Sequence, residues 1–234
     1  MQIPFTLSEC EQERSPQELD EWATAVFERF SANHTTKGFV RRKKELLKKF
    51  VEEIVPLCRI GKHKFWTRSD ITLKPRMGNQ PYGAEIIVRK SRAQRIIRLE
   101  IGTAIDGYSD SLLMEYFQKH GTVCLSGSIW REGSKASGGQ VCNENGCRDR
   151  KKMLEELFNL VHKLANNKMA KTYEPETLLA IVFDDYLPFD LKTDSTALEA
   201  SISLLLPHLL RKFVGFFLVG QSGKYFHEYG PIAI

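Results

Sequence analysis

The sequence predicts an α/β fold, a central mixed β-sheet flanked by helices, from three features of its apolar residues. In several stretches they recur every three or four positions, the spacing that gives a helix one apolar face. Between 65 and 104 the pattern changes to three short β-type runs separated by turn-forming residues, as in a three-stranded meander. Residues 178–183 and 214–219 are continuous apolar runs, the composition of strands covered on both faces. With 234 residues, 42% of them hydrophobic, the chain can bury a sizeable core, and no Pro/Gly/Ser-rich linker divides it. A single domain over 1–234 is therefore expected: an N-terminal helical extension (1–36), an α/β core (37–185), and a C-terminal helix with strands (186–234).

Taken in order, Ser15 caps a first helix, Pro16 takes its first turn and Glu18 closes a capping box. Leu19, Trp22, Ala23, Val26, Phe27 and Phe30 form its apolar face. A second helix over 37–58 puts Phe50, Ile54 and Leu57 on one side and a basic surface, Arg41, Arg42, Lys44, Lys48 and Lys49, largely elsewhere. Strands follow over 65–73, 82–90 and 95–104. A short helix over 110–120 ends at Gly121, a strand spans 122–130, and the Gly-, Ser- and Asn-rich stretch 132–147 reads as loop. Helix 149–168, strand 178–183, helix 195–212, strand 214–219 and a hairpin turn at Ser222-Gly223 complete the chain.

Composition narrows the function classes. No run approaches the ~18 apolar residues that cross a bilayer, and the start of the chain lacks a secretion-signal pattern. A cytoplasmic protein without a membrane partner is expected. Five cysteines at irregular positions suggest free thiols in a reducing compartment. Cys142 and Cys147, with His120 and Cys124, offer four zinc ligands but without the usual two-residue knuckle spacing. The net charge of +5 conceals an asymmetry: residues 37–98 hold 18 Lys and Arg against 5 Asp and Glu, leaving 16 against 24 elsewhere. Such segregation is the footprint of a phosphate-binding surface, so nucleic acid is the expected partner. A homodimer is compatible with the pattern.

Two acidic residues point to chemistry. If Arg92-Ala93 forms a two-residue hairpin loop, Glu85 and Glu100 stand directly opposite. Cross-strand Cβ atoms lie only about 5 Å apart, so paired carboxylates there repel unless a cation lies between them. Hard carboxylate oxygens suit Mg²⁺, or Mn²⁺ in its place. Around Glu100, Arg98, Gly102 and Ala104 share its face, and the two small residues leave room for a backbone phosphate.

In this order, helix, meander bearing Glu85 and Arg98-Leu99-Glu100-Ile101-Gly102, helix, strand, residues 37–185 resemble the PD-(D/E)XK, or restriction-endonuclease-like, nuclease superfamily. The resemblance implies Mg²⁺-dependent hydrolysis of DNA phosphodiester bonds, with Glu85 and Glu100 as metal ligands. It also implies a lysine at position 102, where this chain has Gly102. Arg98, Lys90 or Lys168 are substitutes, with Arg98 taken first, and an inactive nucleic-acid-binding or protein-interaction relative is the alternative. The superfamily often adds an acid from the first helix, for which helical projection selects Glu53 over Glu45 and Glu52. Asp184-Asp185 and Asp106 read as turn formers. Histidine pairs at metal-ligand spacing, a phosphate-cradling Gly-rich loop and a Gly-x-Ser-x-Gly elbow are all missing.

Overall fold

A computed structural model of the chain describes residues 5–32, 45–90, 93–122, 124, 127–144, 146, 148–186 and 189–232. Its centre is a six-stranded mixed sheet in the order β1-β2-β3-β6-β7-β8, flanked by helices. The meander β1 (Ile71–Pro75), β2 (Ala84–Lys90) and β3 (Ala93–Ala104) is antiparallel. β3 then pairs in parallel with β6 (Thr177–Phe183), and β6 in parallel with β7 (Gly215–Gly220), while β8 (Phe226–Tyr229) returns antiparallel. Every residue of β6 and β7 is buried, as their unbroken apolar runs require.

On one face lie α1 (Leu7–Cys10), α2 (Pro16–Ala32) and the helical run 45–65, designated α3. The expected capping box holds α2: Ser15 donates its backbone N–H to the Glu18 carboxylate at 2.8 Å, and Glu18 returns its N–H to the Ser15 hydroxyl at 3.3 Å. Leu19, Val26, Phe50, Ile54 and Leu57 from these helices pack on Ile86, Leu99 and Leu178 of the sheet. The run α3 continues seven residues past the expected end at Cys58, to Phe65, and shortens β1 to five residues. Pro56 lies inside it. A proline in a regular helix collides with the carbonyl four residues earlier, and here the turn Phe50–Ile54 is widened to π geometry just ahead of it. A second π turn, Gly61–Phe65, ends the run. Its expected beginning, with Arg41, Arg42 and Lys44, lies outside the described residues.

The other face carries α5 (Arg150–Met169), α6 (Leu191–Ser203) and α7 (Leu206–Lys212), whose Leu157, Val161, Ala165, Leu198 and Leu209 cover Leu179, Ile181, Phe216 and Leu218. The single helix expected over 195–212 is thus two, parted before Pro207, which cannot continue the hydrogen-bond ladder. Between β3 and α5 the chain forms α4 (Gly107–His120), capped by Asp106 and by Gly121 at φ 75°, then a small hairpin of β4 (Ile129–Glu132) and β5 (Gln140–Asn143). Among the described residues of the expected strand 122–130, only Ile129 and Trp130 lie in a strand. The stretch read as loop supplies β5. No helix among the described residues is long and apolar enough to cross a membrane.

Candidate active site

The β2–β3 hairpin differs in register from the expected one. Its ladder closes with Lys90 opposite Ala93, so Ala93, expected in the loop, belongs to the strand. Each pairing moves by two positions: Glu85 stands opposite Arg98, not Glu100. A shift of two preserves the sheet face, so Glu85, Arg98 and Glu100 still project to one side. Gly83 is the residue beside Glu100 across the hairpin, one step beyond the Ala84–Leu99 pair, where it donates its N–H to the Leu99 carbonyl at 3.0 Å. The Glu85 carboxylate is 7% exposed and accepts from the Arg76 guanidinium at 2.8 Å and the Tyr82 hydroxyl at 3.2 Å. Its charge is balanced within the protein.

Glu100, 8% exposed, instead opens onto a pocket of about 230 Å³ at the end of β2. Three elements converge there. From α3 comes Glu53, in the π turn that widens the helix; from the β1–β2 connection come Arg76, Gln80 and Tyr82; from the end of α5 and the residues after it come Lys168, Lys171 and Tyr173. Lys168 Nζ donates directly to Glu100 Oε1. The aliphatic arm of that lysine crosses over Gly102, where an added Cβ would stand only 2.8 Å from Lys168 Cε and 3.1 Å from Leu164. The missing side chain at 102 is what lets a lysine from α5 occupy the space. A Cβ at Gly83 would likewise press on the Glu53 carboxylate at 3.3 Å. Burial pushes the Glu53 carboxyl up to about 7, with Glu100 and Glu52 adding repulsion and Lys49 and Lys168 opposing it. Burial also raises Glu100, against the pull of Lys168 and Lys171.

Glu53, Glu100 and Lys168 therefore come together; other candidates do not join them. Arg98 pairs with Glu174 at 2.6 Å and lies 5.6 Å over the Tyr82 ring. Lys90 is exposed at the far end of the hairpin. Asp184 accepts from the Tyr186 N–H at 2.9 Å, Asp185 from the Ser222 N–H at 2.6 Å, and Asp106 from the Tyr108 N–H at 3.2 Å, all turn or cap roles. Lys49 Nζ donates to the Met77 carbonyl at 2.5 Å, which ties α3 to the β1–β2 connection, and Lys48 lies 3.8 Å from Glu52. Of the possible zinc ligands, Cys147 lies outside the described residues, His120 stacks on Tyr116, and the Cys124 and Cys142 thiols point to the carbonyls of Gly146 and Gln140. Among the described residues no three His, Cys, Asp or Glu gather around a common ion position.

The basic segment is also less bare than its sequence suggests. Lys62, Lys64, Arg89, Arg95 and Arg98 pair with Asp20, Glu228, Glu13, Glu176 and Glu174, all from outside 37–98. Sequence reasoning missed Arg76, Gln80, Lys171 and Tyr173. The first two sit in a connection without periodicity; Lys171, three residues beyond Lys168 at the end of a helix pattern, carried the one usable signal. Comparison with protein-family models, with curated proteins and with solved structures found no match to this chain.

Proposed function

We propose that this protein is a metal-dependent nuclease-like enzyme acting on DNA phosphodiester bonds, with Glu53, Glu100 and Lys168 at its centre. The observation that carries the reading is the convergence of two burial-strained carboxylates and one lysine in a single pocket. The element order supports it: helix, antiparallel meander, helix, and a fourth strand parallel to the third is the arrangement implied by the PD-(D/E)XK resemblance. The metal is placed on Glu53 and Glu100 instead of Glu85 and Glu100, because the Arg76 guanidinium already occupies Glu85. Two carboxylates suit a Mg²⁺ that keeps most of its waters and takes further oxygens from a substrate phosphate. Bound there, the ion would supply an activated water and neutralise charge developing on the scissile group. Lys168 takes the role first assigned to Arg98: its ammonium opposes the effect of burial on Glu100, keeps that carboxylate in place, and offers a positive charge to a phosphate entering the pocket.

The test is plasmid nicking with Mg²⁺ and with Mn²⁺. Wild type converts supercoiled to open-circular DNA, and Glu100→Ala loses at least about 100-fold of that rate, in line with the loss of a major electrostatic group. Cleavage indifferent to that change refutes the assignment. A second reading, a nucleic-acid-binding relative without hydrolysis, is favoured by one observation: Lys168 already occupies an oxygen of Glu100. It predicts salt-dependent retention of DNA on a filter with no cleavage under either metal.

A further inference from the structure

The pocket beside Glu100 carries a set of unused hydrogen-bond donors. Arg76 Nε, Gln80 Nε2 and the Tyr173 hydroxyl are all buried, and none meets a hydrogen-bond partner among the described residues. All three residues line the same pocket. Buried polar atoms are almost always paired, so three orphans around one cavity call for a common acceptor. Among the charged residues, Arg76 is held by Glu85 and Lys168 by Glu100, while Lys171 and Glu53, on the same wall, form no ion pair among the described residues. The charges of the site therefore balance, and it is the three orphan donors that ask for an acceptor, with Lys171 free to turn to it.

We propose that this pocket is an oxyanion site that takes a phosphoryl group, its oxygens accepting from Arg76, Gln80, Tyr173 and Lys171. The inference rests on the nuclease reading for its biological substrate, a nucleic-acid phosphate, but the site itself requires no metal. A tetrahedral anion has enough lone pairs to satisfy every orphan at once, and hydrogen bonds to ionised oxygens are the strong ones. Because the orphan atoms are covered in the free protein, their side chains turn toward the anion as it enters. The phosphoryl group is either an internal diester or the terminal monoester of a strand.

Calorimetric titration of the full chain with inorganic phosphate, in EDTA, tests the site apart from catalysis. The expected result is saturable one-to-one binding, weakened roughly 10-fold by Tyr173→Phe and by Gln80→Leu, and at least as much by Lys171→Ala, the usual range for a hydrogen bond to a charged group. Tyr173→Phe removes only an unpaired hydroxyl, so its melting temperature equals or exceeds that of wild type, which separates lost binding from lost folding. Competition by 5′-phosphorylated and 5′-hydroxyl oligonucleotides tells the two sources apart: displacement by the first alone marks a terminal phosphate, equal displacement by both an internal one. Absence of saturable binding, or affinities in Tyr173→Phe and Gln80→Leu equal to wild type, overturns the proposal. Phosphate binding that the variants lose, in a protein that cleaves nothing with either metal, keeps the anion site and removes the nuclease reading. Cleavage with unchanged KM in both variants does the reverse.

Discussion

Gly102 and Lys168 occupy one volume between them, and this decides what each can become. A lysine introduced at 102 in the wild-type background collides with the Lys168 arm, since even a Cβ there stands 2.8 Å from Lys168 Cε. Gly102→Lys alone should therefore destabilise by about 1–3 kcal/mol, the usual cost of overpacking. Lys168→Ala alone should lose activity and leave Glu100 without its cation. The double change restores a lysine from the strand side, so nicking should recover at least tenfold over Lys168→Ala; a double variant as inactive as the single one refutes the idea that the two positions share a role. Glu53 yields a different prediction, about pH. Its carboxyl is raised by burial to about 7 from an ordinary value of 4.5, so the folded protein holds a proton there that the unfolded chain has released. Below 4.5 both states are protonated and the full contribution to stability is present; it declines as pH rises from 4.5 and is lost through about 7. Urea unfolding at pH 5 and pH 8, with EDTA, should show a fall for wild type that Glu53→Gln flattens. Equal falls in both proteins locate the titration elsewhere.

At the level of elements, strongly periodic or wholly apolar segments were legible, and connections were not. β6 and β7 follow directly from their unbroken apolar runs, and α2 from its capping box and one-sided apolar spacing. The hairpin register escaped because neither Ser91-Arg92 nor Arg92-Ala93 carries the Asn-Gly or Asp-Gly signal that fixes a two-residue loop. That slip moved the cross-strand pairing by two yet left the face of Glu100 right, because sheet geometry repeats every two residues. Helical projection singled out Glu53, which lies on the pocket wall even though its turn is π rather than α, while Lys168 remained one of several cations until α5 was placed over Gly102. The break between α6 and α7 could have been read from Pro207. Another connection carries measurable weight: Asp194 in the first turn of α6 accepts from the Arg150 guanidinium at the start of α5, from the Asp190 N–H at 2.7 Å and from the Thr193 hydroxyl at 3.2 Å. Asp194→Ala removes these bonds at the junction of two helices, returns their exposed donors to water, and should cost about 0.5–1.5 kcal/mol in urea unfolding, without changing phosphate affinity. A loss below about 0.5 kcal/mol places that junction's stability in its apolar contacts.

Across the whole molecule, charge in sequence and charge in space are different quantities. Residues 37–98 hold a large basic excess, yet among the described residues five of their cations reach acids drawn from both ends of the chain. Folding thereby spends on internal pairing part of the potential that the linear count assigns to a partner. Such exposed pairs contribute little to stability, about 0–1 kcal/mol each, because water and salt screen them. Their larger effect falls on binding: a cation held by a neighbouring carboxylate releases no net counterion when a phosphate approaches. Arg89 with Glu13 and Arg95 with Glu176 lie on the outer part of the β2–β3 hairpin, away from the pocket, so freeing them leaves Glu53, Glu100 and Lys168 undisturbed. In the combined variant Glu13→Gln, Glu176→Gln, filter binding of duplex DNA across a salt series should show a log–log slope steeper than wild type by up to about 1.8, at roughly 0.9 per phosphate newly neutralised. The nicking rate at saturating DNA should stay the same. A slope that does not move means that this edge of the sheet faces away from the duplex, and the approach of nucleic acid is then confined to the side on which Lys171 stands.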